Sequence, residues 1–410
     1  MAQIKNKYKL SALLDKLSKS RKTGNSPFGA EMLADILSVL QTAITFPKHI
    51  CDTDKRGIIC DALYSDDFEN GIAESSLLTE ITRREKLYLA RPTNPYTFIG
   101  TISVPGYVNQ LTRDFCDATI IISKSLPKYF DRKTIEKPAL ETIGQNNPEN
   151  YKWAMVHVMA RTTNSAMDKA LRSLNCIRGV WNYANSHRMT RRGYLGRRWP
   201  VNQICLGPIF SLHKLDGKHT GLGVWYEPRF ALAKTSYGTK NEWKEIVARE
   251  KQLRKLIKQS NYPNELCDYF VRYAEALDGI DFESSFLKLW SLLEALTVTG
   301  GANYDQTVKR ALFPCVSRDE AKPILEHLRE RRNQWVHGGE EINDAQDILH
   351  QLRGFVELVL EYHIGIGRKF ARPGLTAELL DLPSDPEILK KRIALHKLAL
   401  QGQEFAHKNS

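Results

Sequence analysis

Apolar residues recur once per helical turn over several stretches of this chain and cluster or alternate over others. Met32, Ile36, Leu40 and Ile44 lie on one helix face, and the first fifty residues read as helices. Residues 51–146 read as mixed. Within them YTFIGTISV (96–104) and ATIIIS (118–123) are rich in β-branched and aromatic residues and bounded by Gly, Pro and Asp, which predicts strands. The polar run ETIGQNNPEN (141–150) predicts a boundary. Asn147-Pro148-Glu149 then has the form of a helix start, with a capping side chain, a proline at the first position and an acid in the first turn. Trp153, Val156, Met159/Ala160, Met167, Leu171, Leu174 and Ile177 follow at helical spacing and predict one long helix to about residue 184. Residues 201–228 predict strands with Asp216-Gly217 as a hairpin turn, and 241–259 a charged helix.

From about 262 to 370 the pattern is helical throughout. Phe282, Phe286, Leu289/Trp290, Leu293 and Leu296 form one stripe. Ile324, Leu325 and Leu328 belong to a helix begun after Ser317, and Ile348, Leu352, Phe355, Val359 and Tyr362 form a third packing face. Short connections predict an up-and-down bundle. A last helix is predicted over 385–400. The expected fold is therefore mainly α with an α+β N-terminal region. It divides into 1–146, a stretch 147–261 that could belong to the same domain, a bundle over 262–370, and a tail over 371–410.

The chain has 410 residues and a formal charge of +12, with 42% hydrophobic and 26% charged residues, an ordinary globular balance. The charge is not evenly spread. Residues 1–264 carry 41 basic and 24 acidic side chains, whereas 265–370 carry 12 and 18. No apolar run reaches the roughly 18 residues of a membrane span, and the charged N-terminus does not read as a secretory signal, so a cytoplasmic protein without membrane contact is expected. Seven cysteines, odd in number and without a CxxC pair, predict separate buried thiols rather than disulfides or a zinc knuckle. No metal site and no cofactor are expected. Walker, GxSxG and HExxH patterns do not occur, which removes support for ATPase, serine hydrolase and zincin readings. His213 and His219 flank the predicted hairpin without a further ligand in view, and His363 reads as a helix-end residue.

The segment ERRNQWVHGGEE (330–341) carries the most chemistry. Gly338-Gly339 predicts a helix end, which puts His337 in the last turn. Asn333 and His337, four apart, share a face, so the Asn amide could fix the imidazole tautomer. Arg332 lies about 140° around the helix from His337. An imidazole that titrates near neutrality and a forked cation are what metal-free RNA cleavage requires: proton transfer at the ribose 2′-OH and the leaving 5′-oxygen, and charge stabilisation on the phosphoryl group. A bare Arg-x4-His is a weak signal, expected about once by chance in a chain of this composition. Upstream, FLKLWSLLEAL places one acid, Glu294, in an apolar helix. It is a fourth site residue, a helix-surface acid, or a structural partner of Arg331 or Arg332.

Taken together, FLKLWSLLEAL and RRNQWVHGG resemble the Apea-like branch of the HEPN superfamily over about 262–370. That resemblance implies a HEPN-type helical bundle and a homodimer whose two motifs face one another. It also implies a metal-independent endoribonuclease acting through Arg332, Asn333 and His337, with products bearing 2′,3′-cyclic phosphates. A role in antiphage defence or toxin–antitoxin biology follows, with RNA as substrate and a phage or cellular protein as a possible activator. Gly339 stands where nucleotidylated members carry Tyr, so that control route is not supported. The other reading is a HEPN-type dimer that grips RNA or protein without cutting it.

The second basic feature is 151–200, with ten Lys/Arg against one acid. Arg188, Arg191, Arg192, Arg197 and Arg198 are interleaved with Tyr194 and Trp199, a composition suited to phosphates and exposed bases. The same cluster could equally be a solvated loop or dock on the acidic bundle.

Overall fold

The computed structural model describes residues 3–5, 10–22, 30–47, 50–65, 68, 72–105, 107–189, 201–221, 223–227, 230, 240–300, 303–337 and 345–408. Helices dominate, around one larger antiparallel sheet. At the N-terminus, α1 (Ser11–Lys22), α2 (Ala30–Ala43), α3 (Asp52–Leu63) and α4 (Glu74–Ala90) close over a core of their own that includes Leu14, Ile36, Leu40, Ile59, Leu77 and Ile81. A short ladder between β1 (Gln3–Ile4) and β2 (Ile44–Thr45) ties its ends.

The sheet comprises β3 (Asn94–Ile102), β4 (Gln110–Phe115), β5 (Ala118–Ser123), β6 (Lys152–Ala160), β7 (Ile209–Lys214) and β8 (Trp225–Tyr226). Its order is β4-β5-β6-β3-β7-β8, and every pairing is antiparallel. The helix α6 (Thr163–Met189) packs on one face through Ala166, Ala170, Leu174 and Ile177 against Val156, Val158 and Ile120. The other face, with Ile99 and Met155, packs on Phe130 ahead of α5 (Lys133–Ile143). The hairpin between β7 and β8 turns at Gly217, whose φ of +84° suits glycine.

This corrects the expectation of a single helix starting at 147. Residues 152–160 are the strand β6, hydrogen-bonded to β3 on one side and to β5 on the other. The face of β6 toward α6 is buried, and the opposite face carries Trp153, Met155 and the half-exposed Met159, so the segment has no clean polar alternation. Trp153, Val156 and Met159 happen to recur every three residues and so imitate a helix stripe. The real helix begins after Thr162, whose Oγ1 accepts the Ser165 backbone N–H at 3.1 Å, an N-cap bond.

The C-terminal part comprises α7 (Lys240–Lys258), α8 (Pro263–Leu277), α9 (Phe282–Thr297), α10 (Tyr304–Leu312), α11 (Arg318–His337), α12 (Ala345–Gly365), α13 (Pro373–Leu380) and α14 (Pro386–Lys408). Of the predicted apolar stripes of α9, α11 and α12, most positions are buried, Phe282, Phe355 and Tyr362 are partly buried, and Ile324 is exposed, so the core side of α11 runs through Leu325 and Leu328 instead. The core is continuous from the sheet through α6 into α8, α9 and α12. His363 lies in the last turn of α12, the helix-end position expected, and is a buried core residue there. Its Nε2 donates to the Leu296 carbonyl (2.7 Å), so Nδ1 accepts from the Tyr262 hydroxyl at 3.0 Å. Among the described residues no helix is long and apolar enough to cross a membrane.

Candidate functional site

The helix α11 turns Leu325, Leu328 and Trp335 into the core, and Trp335 meets the Phe286 ring of α9 edge-on, with centroids 4.5 Å apart. Arg332 falls between Leu328 and Trp335 on that same stripe, at a spacing where an apolar residue would be expected. Its cation is half-buried and lies over the Tyr304 ring, with Cζ 4.5 Å from the centroid. Asp305, next to Tyr304, pairs with Arg329 one turn earlier (2.5 Å), so the first turn of α10 is clamped along α11. Asn303 caps α10 by accepting from the Gln306 N–H. Arg332 Nη1 also reaches Asn333 Oδ1 across a long 3.4 Å.

Other interior arginines behave differently. Arg178 pairs with Asp278, Arg310 with Asp381 and Arg353 with Glu357. Among the described residues, no carboxylate lies within ion-pair distance of Arg332. A cation on a core-facing stripe, backed by an aromatic ring and lacking a counterion there, can accept an anionic ligand without first breaking a salt bridge.

Glu294 accepts the Trp290 indole N–H at 2.9 Å, and the Trp290 ring lies edge-on to Tyr304 with centroids 6.4 Å apart. The expected ion pair of Glu294 with Arg331 or Arg332 is not formed among the described residues. Glu294 and Arg332 are instead joined through Trp290 and Tyr304. The Trp290–Glu294 bond is an i,i+4 pair legible from spacing, whereas Tyr304 is 28 positions from Arg332 and no local pattern links them. The backbone of α11 carries Asn333 and His337 one turn apart, and the His337 side chain lies outside the described residues. Of the basic cluster, Arg191, Arg192, Tyr194, Arg197, Arg198 and Trp199, together with the Arg188 side chain, also lie outside them.

A second grouping was not anticipated. Cys116, Cys176 and Cys267 bring their sulfurs within 4.8 Å of one another. Cys116 Sγ donates to Cys267 Sγ at 2.9 Å. Hydrogen bonds from Cys116 and Cys176 hold the Cys267 thiol well below its ordinary range, and burial pushes Cys176 well above it. No family model, curated protein or solved structure matches this chain. What its fold and side chains define is a helix-rich α+β protein with a cation on α11 that has no carboxylate partner among the described residues, and a separate thiol cluster.

Proposed function

We propose that this chain is a metal-independent endoribonuclease of HEPN type, acting through Arg332, Asn333 and His337 on α11. The observation that carries the reading is Arg332, a core-stripe guanidinium resting on Tyr304 with no carboxylate partner among the described residues. In the proposed reaction Arg332 grips the scissile phosphate with its fork of donors. His337 moves the proton of the attacking 2′-OH or of the leaving 5′-oxygen. The P–O5′ bond breaks as the 2′-O–P bond forms, which leaves a 2′,3′-cyclic phosphate and a 5′-OH. Asn333 orients the site from the turn before His337. Glu294 supports it through Trp290 rather than by touching RNA. A twofold dimer would bring two such motifs to one cleft, and the basic segment 188–199 would capture RNA. An effector role in antiphage defence or toxin–antitoxin biology, triggered by a phage or cellular protein, fits this chemistry.

The test incubates wild type, His337→Ala and Arg332→Lys with total RNA, with and without EDTA, and labels the new ends. Cyclic-phosphate ends made by wild type alone, in both buffers, are expected. Equal RNA retardation by all three without cleavage would favour the non-catalytic binding module instead. Sedimentation at micromolar protein checks the dimer.

A further inference from the structure

The three clustered cysteines come from three distant elements. Cys116 is in the turn between β4 and β5, Cys176 is in the middle of α6 and Cys267 is in the second turn of α8. Each element is held in place by contacts of its own. Cys116 and Asp117 both adopt left-handed backbone, φ +52° and +57°, a conformation uncommon for residues other than glycine. The Ser173 hydroxyl of α6 donates to the Cys116 carbonyl at 2.9 Å and fastens this turn to the helix that carries Cys176. Arg172 bridges α6 to α8 by pairing with Asp268 at 2.8 Å, beside Cys267. Closest of all, Gly179 on α6 abuts the Phe270 carbonyl of α8, and Cys176 and Cys267 each lie three residues before that contact.

Cys116 and Cys267 also line a cavity of about 690 Å³, together with Tyr96, Thr97, His157 and Lys258. Cys176 sits behind them, fully buried. The cluster therefore faces the cavity through Cys116 and Cys267, and Cys176 is its buried side. In a tetrahedral thiolate site with metal–sulfur bonds of about 2.3 Å, sulfurs stand about 3.8 Å apart. Three sulfurs within 4.8 Å of one another need only small rotamer shifts to reach that spacing.

We propose that Cys116, Cys176 and Cys267 form a tri-thiolate site for one thiophilic d10 metal ion, Zn2+ or Cu+, with its remaining coordination position facing the cavity. Soft thiolate ligands select these ions over Mg2+ or Ca2+. On binding, sulfur–metal bonds replace S–H bonds and the protons leave to solvent, so affinity rises with pH. Three thiolates leave the Zn2+ complex at one net negative charge; Arg172 favours the charged form of both Cys116 and Cys267, while its partner Asp268 opposes it at Cys267. The site would bind α6, α8 and the β4–β5 turn into one unit. It is distinct from the RNA-cleavage reading of α11 and does not depend on it.

The test is metal content and titration of the full chain. Protein purified under reducing conditions without chelator should carry about one zinc or copper per chain by elemental mass spectrometry. After stripping, Co2+ should give a sulfur-to-cobalt charge-transfer band that saturates at one equivalent and is displaced by Zn2+. A parallel competition with a Cu+ chelator distinguishes the two ions. Cys116→Ser, a change in a surface turn, should weaken binding about 100-fold or more, while its metal-free circular dichroism matches wild type. Cys60→Ser should bind as wild type. The proposal is overturned if folded wild type gives no charge-transfer band or if Cys116→Ser binds as tightly as wild type. It is equally overturned if peptide mapping without reductant finds a Cys116–Cys267 disulfide and no metal.

Discussion

Replacing Gly179 by Ala puts two simple expectations in direct conflict. Within a helix, Ala is favoured over Gly by about 1 kcal/mol. At this position, however, a Cβ would stand 2.1 Å from the Phe270 carbonyl oxygen and 2.9 Å from its carbonyl carbon. Those atoms belong to the α8 backbone, so no side chain can rotate away. Reaching ordinary contact, which starts near 3.4 Å, requires α6 and α8 to part by roughly 1 Å. The gap would open in the core around Ile177, Trp181, Phe270 and Tyr273, all fully buried. Overpacking of this kind costs about 1–3 kcal/mol, and a backbone clash belongs at the upper end. After the propensity gain, a net loss of about 2 kcal/mol remains, or roughly 2–3 °C in melting temperature for a chain of this length. Thermal melts followed by circular dichroism and by tryptophan fluorescence measure it. The thiol cluster provides a second readout, because parting the helices separates Cys176 from Cys267 and should weaken Co2+ binding. A melting temperature equal to or above wild type would refute the close approach of α6 and α8.

Arg178→Met should lose about 3 kcal/mol in urea unfolding, because the partly exposed Asp278 would lose two bonds (2.7 and 2.5 Å) to the buried guanidinium and, among the described residues, keep its Asn202 contact; a loss under 1 kcal/mol would contradict this. Burial pushes His363 down to about 4 from its ordinary 6.5, with the Leu296 carbonyl opposing the shift. Below pH 6.5 the unfolded chain therefore binds a proton that the native core refuses, and stability falls until about pH 4. The wild type should lose more stability than His363→Gln between pH 7 and pH 4, and parallel curves would remove His363 as the cause. Arg332→Lys should abolish RNA cleavage while leaving the far-UV spectrum unchanged, since Lys can rest on Tyr304 yet cannot fork onto a phosphate. Retained cleavage would argue against a bidentate grip. Tyr304→Leu should reduce cleavage by a smaller factor and mainly through kcat, because it leaves Arg332 present but unsupported.

Local sequence determined the elements whose burial is one-sided. The stripes Phe286–Leu296 and Ile348–Val359 have helical periodicity because each helix hides one face, and α9 and α12 lie where that periodicity put them. The strand at 118–123 and the Asp216-Gly217 turn were also readable, since β-branched enrichment and a left-handed glycine are properties of a few adjacent residues. The helix carrying Arg332, Asn333 and His337 was also legible, and the predicted Gly338-Gly339 stop lies outside the described residues. Tertiary structure decided the rest. Residues 152–160 are a strand because β3 and β5 satisfy their backbone on both sides, and both partners lie far away in the chain. Arg332 occupies a core-stripe position over Tyr304, which comes from another helix. Seven scattered cysteines looked like separate thiols, since no spacing along the chain encodes the packing of α6 on α8. Only that packing, made possible by the missing side chain of Gly179, draws three of them together.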